Sequence, residues 1–273
     1  MHHAVYDHDS GFRFNFGYKM NDSWNLGFRY TYFHTNGTTE LGDPTVDSKS
    51  VLANRLDRSL ADDILDAAFD DGEADYASQH ISLDFDTYDL ELRRQLRFPS
   101  QRLAVNVSGG LRFATINQTS QISYQNFDGG NLLTANTDEV MKMNAAGLRV
   151  GAEAHYLLGW NVSLFARGAV SLMYGNINVS RQDVQLSATQ AGIRTISDGF
   201  HTTIPVTELN VGLRWQRGRF FMATGYDMAT WFDMVQGIDA IYQDDVDGTT
   251  NGYRIERGNL SLNGFFAEAG ILF

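Results

Sequence analysis

Apolar and polar residues alternate with period two along most of this chain. Phe12, Phe14, Phe16 and Tyr18 are interleaved with Arg13, Asn15, Gly17 and Lys19. After a short turn at Met20-Asn21-Asp22-Ser23, Trp24, Leu26, Phe28, Tyr30 and Tyr32 alternate with Asn25, Gly27, Arg29, Thr31 and Phe33. Successive side chains of a strand point to opposite faces, so this code predicts strands with one apolar and one polar face, here joined as a hairpin. Alternation then lapses over 36–79, where Leu52, Leu56, Leu60, Ile64 and Ala68 recur every four residues, which predicts a short amphipathic helix over 50–69. The next strand carries Ile81, Leu83 and Phe85, then changes phase to Tyr88, Leu90 and Leu92, so a β-bulge is expected near Asp86 or Thr87.

The code continues through six more stretches. Leu103, Val105, Val107, Leu111 and Phe113 share a face opposite Asn106, Ser108, Gly110 and Arg112. Phe127-Asp128-Gly129-Gly130-Asn131 reads as a hairpin tip, and the returning strand sets Leu148, Val150, Ala152, Ala154, Tyr156 and Leu158 against Arg149, Gly151, Glu153 and His155. A turn at Gly159 leads into Trp160, Val162, Leu164, Ala166, Val170, Leu172 and Tyr174, aliphatic in the middle and aromatic at both ends. A polar excursion over 176–199 precedes Leu209, Val211, Leu213 and Trp215, and a Gln216-Arg217-Gly218-Arg219 turn feeds Met222, Thr224, Tyr226, Met228 and Phe232. The last strand places Phe265, Ala267, Ala269, Ile271 and Phe273 opposite Gly264, Glu268 and Gly270.

Strands with a lipid-compatible face flanked by aromatic girdles, short turns at one end and long excursions at the other, are what a transmembrane antiparallel up-and-down β-barrel requires. The expected fold is therefore all-β, one domain over 1–273, with nine strands visible. Bacterial single-chain barrels have even strand numbers, so about ten are expected in the intact protein, one of them preceding residue 1. Phe265, Ile271 and the terminal Phe273 are the expected signal to the barrel-assembly machinery, and outer-membrane lipid is the expected surrounding. No apolar run is long enough for a transmembrane helix, a fact that does not bear on a barrel, whose spans need only about ten alternating residues. A mean hydropathy of −0.29 is likewise compatible with spanning, since half of each strand faces inward. Met1-His2-His3 starts no signal peptide, so the expected place in the bacterial outer membrane rests on the strand code.

Composition sharpens this. Only 3 prolines occur against 26 glycines, as in closed ladders that cannot spare donors, and the absence of cysteine removes disulfides, Cys-based zinc sites and thiol nucleophiles. The net charge of −12 is concentrated: 36–79 holds eleven acidic residues against Lys49, Arg55 and Arg58, and 233–258 holds six against Arg254 and Arg257. Both stretches are read as acidic extracellular loops on a barrel otherwise neutral, which argues against nucleic acid as a partner.

Gly147-Leu148-Arg149-Val150-Gly151, His155-Tyr156-Leu157-Leu158-Gly159, Ser163-Leu164-Phe165-Ala166-Arg167-Gly168 and Ser171-Leu172-Met173-Tyr174-Gly175 resemble the central hairpin of the Legionella-type major outer-membrane protein family. Pro205-Val206-Thr207-Glu208-Leu209, Gly225-Tyr226-Asp227 with Trp231, and Asn263-Gly264-Phe265-Phe266 resemble its later strands, so the likeness covers roughly residues 80–273. The resemblance implies a pore-forming barrel and a porin-like role. Nothing in 36–79 helps to choose a solute.

The inward faces are expected to carry Arg13, Arg29, Arg93, Arg112, Arg149, Arg167 and Arg214 against Asp89, Glu91, Glu153, Glu208, Asp227 and Glu268. Such a near-balance has two readings: an ion-lined pore for passive passage of small solutes, or a salt-bridge network filling the interior of a structural or surface-interaction barrel. A lipid hydrolase is the remote third. In Phe33-His34-Thr35-Asn36-Gly37, the residue sharing a face with His34 is Asn36, where a serine nucleophile would be needed. No cofactor is expected. Asp244-Asp245-Val246-Asp247-Gly248 and Asp70-Asp71-Gly72-Glu73 lack the full calcium-loop ligand set, and His80, His155 and His201 have no His partner at metal-binding spacing.

Overall fold

The computed structural model describes residues 9–21, 23–42, 51–52, 73–74, 76–96, 102–128, 131–186, 191–242 and 251–271. These form strands β1 (Gly11–Lys19), β2 (Trp24–Gly42), β3 (Val51–Leu52), β4 (Glu73–Ala74), β5 (Tyr76–Leu96), β6 (Leu103–Asp128), β7 (Asn131–Gly159), β8 (Val162–Leu186), β9 (Ala191–Arg217), β10 (Phe220–Tyr242) and β11 (Asn251–Ile271). Nine of them make one antiparallel sheet in the order β1-β2-β5-β6-β7-β8-β9-β10-β11, and β3 pairs only with β4. The described residues contain no helix. The helix expected over 50–69 falls outside them except at Val51 and Leu52, which are strand.

Tight turns join the strands at one end. Asn21 Oδ1 accepts hydrogen bonds from the amides of Ser23 and Trp24, both 3.0 Å, closing the first hairpin with an Asx turn. Trp160 (φ 48°) and Asn161 (φ 64°) both take the left-handed conformation that a two-residue hairpin between twisted strands favours. Asn161 tolerates this readily, whereas Trp160, 96% exposed, is a bulky residue held there by the turn.

The sheet curls so that one face turns inward. The ring of Phe85 on β5 meets Trp231 on β10 edge-to-face at 5.4 Å, a contact across the enclosed space. Close curling shows in the glycine pair Gly212 and Gly225 on β9 and β10. A Cβ on either would lie 2.2 Å from a carbonyl oxygen of the opposing strand, so only glycine fits both positions. No ladder joins β1 to β11 among the described residues. Nine alternating strands make these two edges run in the same direction. Side chains bridge the seam instead: Arg13 reaches Asp227 on β10 at 2.5 Å, past Gly264 on β11, and Asn15 donates to Glu268 at 3.4 Å.

The strands are far longer than a membrane needs. β7 has 29 residues, about 95 Å of contour at roughly 3.3 Å per residue. The excursion expected over 176–199 is largely paired strand, and strands also enter both acidic stretches, to Gly42 and from Tyr76, and to Tyr242 and from Asn251. Exposed apolar residues gather near the short turns: Phe14, Leu26, Leu90, Leu111, Leu148 (67% exposed), Leu172, Leu209 and Met222.

The bulge expected near Asp86 or Thr87 is absent. β5 runs in unbroken register against β2 and β6 through Phe85, Asp86, Thr87 and Tyr88. Ile81, Leu83 and Phe85 simply face inward, while Tyr88, Leu90 and Leu92 face outward. The apolar face changes sides along the strand because its surroundings change.

Candidate functional site

The inward face is layered. Nearest the short turns, Phe165 lies against His155 (5.7 Å) and Phe266 (6.2 Å), and the guanidinium of Arg214 sits 3.9 Å from the centroid of the Phe221 ring. Farther from them is an apolar cluster that includes Leu83, Phe85, Ile116, Met143, Met173, Ile177, Val206 and Trp231. Between the two, at the level of the outer apolar band, stands a tier of charges.

Each member of that tier occupies an inward position of its strand, and the two-residue period brings them into contact. Asp89 on β5 accepts two hydrogen bonds from Arg112 on β6, from Nε at 2.6 Å and from Nη2 at 2.8 Å. Arg112 also reaches Glu208 on β9 at 2.7 Å. Arg149 on β7 bridges Glu208 and Glu91, and its Nε is 3.7 Å from Asp89. Arg93 donates to Glu91 at 2.9 Å. Arg29 donates to Asn15 at 3.0 Å and lies 4.0 Å from Asp89. Nearer the turns, Glu153 accepts from Arg167 at 2.7 Å and contacts His155. Asp89, Glu91, Arg29, Arg112 and Arg149 are all buried.

Shared carboxylates are what a buried tier of this kind demands. An isolated charge in a dry interior is prohibitively costly, so every cation needs an anion or water. The side chains leave a cavity of about 10 Å³, bordered by Arg29, Glu91, Arg149, Glu153 and Arg167, room for roughly one water molecule.

All thirteen residues expected on the inward face thus have placements: eleven in the paired tier or its seam contacts, Arg214 over the Phe221 ring, and Glu268 beside Asn15. Phe265 (91% exposed) and Ile271 are on the outer face, and Phe273 lies outside the described residues. His34 faces outward, its Nδ1 2.6 Å from Asp84, and the two acidic calcium-like motifs lie outside the described residues except for Glu73, which is in β4. Among the described residues no group of three or more His, Asp or Glu could hold a metal ion.

Sequence reasoning missed the apolar cluster and a second buried ionic group next to it, farther along β7 and β8 from the short turns. Asp183 accepts from Thr137 (2.8 Å), Arg181 (2.9 Å) and Arg194 (2.6 Å), and Arg181 also reaches Glu139 at 3.2 Å. The alternation of Arg181 with Asp183 inside the supposed excursion was the available signal. Beyond the band, Asp198 accepts a hydrogen bond from the Tyr253 hydroxyl at 2.5 Å, which raises that phenol above its ordinary pKa.

Against known proteins, the model of a family described as Legionella pneumophila major outer membrane protein precursor matches residues 1–273, the whole chain. Comparison with curated proteins gives no match.

Proposed function

The chain belongs to the Legionella major outer-membrane protein family and is a bacterial outer-membrane β-barrel protein; from that premise we propose that it is porin-like, giving small ions or solutes a narrow, charge-lined path. The observation that carries this reading is the tier of inward charges at the level of the outer apolar band. Ionisable residues at bilayer depth are costly and mark ion or solute pathways. Space-filling alone does not account for them, since the same strands fill their upper interior with Leu, Ile, Met and Trp. In this reading Arg29, Asp89, Glu91, Arg112, Arg149 and Glu208 form the constriction. Arg13, Arg93, Glu153, Arg167, Arg214, Asp227 and Glu268 line the approach. Lipid contacts the outer band, and the outward face of Phe265 and Ile271 is offered to the assembly machinery.

A second reading has two observations in its favour. The 10 Å³ cavity and the apolar cluster beyond it describe a filled interior, as in a structural or surface-interaction barrel.

Planar-bilayer recording of the full refolded chain separates the two. A porin-like barrel shows unitary conductance in KCl, and Arg149→Ala or Arg167→Ala alters its size or ion preference while the folded form persists on a heat-modifiability gel. An electrically silent parent, with loss of thermal stability in either variant, overturns the porin-like reading and leaves the filled barrel.

A further inference from the structure

The β9–β10 ladder stops at Trp231↔Val206. Beyond that pair the sheet splits: β9 from Ala191 to Pro205 stays paired with β8 alone, while β10 from Met234 to Tyr242 stays paired with β11 alone. The split coincides with two register shifts on β10, between Trp231 and Met234 and between Val235 and Gly237, and with Asp233 in the left-handed region at φ 58°. An extra unpaired residue bends the strand that carries it. The bend turns this two-stranded ribbon across the interior. Met234, Val235 and Ile238 are 2–4% exposed within the apolar cluster. The ribbon crosses to the wall formed by β7 and β8, where Arg181 donates to the Ile238 carbonyl at 2.6 Å and the Ile238 amide donates to Glu139 at 3.4 Å. Val235 and Ile238 share a small cavity of about 20 Å³ with Met141 and Val179.

We infer that the β10–β11 ribbon above Trp231 is a lid over the charged tier, hinged at the Asp233 bulge and latched by Arg181 and Glu139. A continuous ladder would tie β10 to β9 by backbone bonds along its whole length. The ribbon is instead attached to β9 by side chains, through Tyr253 to Asp198 at 2.5 Å and Arg257 to Thr202 at 3.4 Å. Beyond the two register shifts its own strands are paired without a break from Gly237↔Glu256 to Tyr242↔Asn251, so it swings as one body without breaking that ladder. What must be given up is the burial of Met234, Val235 and Ile238, the partial burial of Ile255 against the same cluster, and a few polar contacts, while the wall strands keep their ladders. The geometry stands on its own; its consequence, control of passage, rests on the porin-like reading.

The test uses the absence of native cysteine. Spin labels on Lys142→Cys, on the wall, and Gln236→Cys, on the ribbon, report their separation, and both parent residues are exposed. In the labelled parent a single short separation is expected. Adding Met234→Asp, which places an unpaired charge on the ribbon's buried face and leaves the wall intact, is expected to produce a longer population and raise open probability at least about tenfold. If the separation lengthens while every form stays electrically silent, the lid stands and the porin-like reading falls. If separation and conductance are both unchanged in a folded variant, the lid inference is overturned. Hydrogen exchange of the parent decides the matter even if that variant does not fold. The amides of Met234, Val235 and Ile238 are expected to exchange together, well before those of Met143 and Ile177. Equal protection of the two sets overturns the inference.

Discussion

The lower and upper parts of these strands are built from opposite rules. Near the short turns, the outer face is Leu148, Val150 and Leu172 and the inner face is Asp89, Arg112 and Arg149. Farther up, the inner face is Met143, Met173 and Ile177, and the outer face holds Lys142, Asn178 and Gln182. The pleat and the register run through the boundary unchanged on β7 and β8. What changes is the medium: lipid outside favours apolar residues there, and water outside reverses the preference. The lower interior could have been apolar as well, so its charges are a choice that membrane insertion alone does not dictate.

The sharpest way to break this contrast is to remove one charge from the lower interior. Asp89→Ala leaves Arg112 without its two-pronged partner and is expected to cost about 3–5 kcal/mol in denaturant unfolding of the lipid- or detergent-bound barrel. The double change Asp89→Leu with Arg112→Met, which makes the lower tier resemble the upper, is expected to restore stability to near the parent's. A double variant as damaged as the single one would mean the ion pairs hold the fold.

In the upper interior, Leu83→Ala removes a fully buried side chain from the apolar cluster and is expected to cost about 2–5 kcal/mol on the same measurement. An effect near zero there would mean the cluster is loosely packed.

The outer faces give the finest comparison. Leu148→Arg, in the lipid-facing band, is expected to cost about 2–4 kcal/mol. Gln182→Arg, outward on β8 in the upper part, is expected to stay within about 0.5 kcal/mol. Equal costs at the two positions would contradict a boundary between lipid and water along these strands.

How much of this could be read from the chain differs by tier. In the lower part the alternation gave faces, turns and strand number, because lipid outside and charge inside make the two faces chemically distinct. Leu148, Leu164, Leu209 and Met222 are on the outside as expected. In the upper part the same alternation was ambiguous, since period two says which residues share a face and not which face is inward. The phase change after Phe85 therefore read as a bulge. Yet it recurs on β7, from Met141, Met143 and Ala145 to Leu148 and Val150, and on β9, from Ile204 and Val206 to Leu209 and Val211. A bulge at one height in every strand is implausible, and a change of surroundings at that height explains them together. The contacts within the charged tier needed curvature as well as face. Arg112 meets Glu208 only because the sheet curls β6 toward β9, and no spacing along the chain encodes that. The real irregularity, at Asp233, lies in a stretch whose acidity suggested a loop.

The great length of β6 to β9 has a consequence for what the outside world meets. Because the paired strands β6 to β9 run well beyond the length a membrane needs, side chains on those strands are displayed to the outside at alternate positions only. Sequence drift there would be confined to every second residue, since its neighbours hold the interior together. A binder that reads this part of the wall would join residues from adjacent strands, and its binding would be lost when the chain is boiled, because it depends on the assembled sheet.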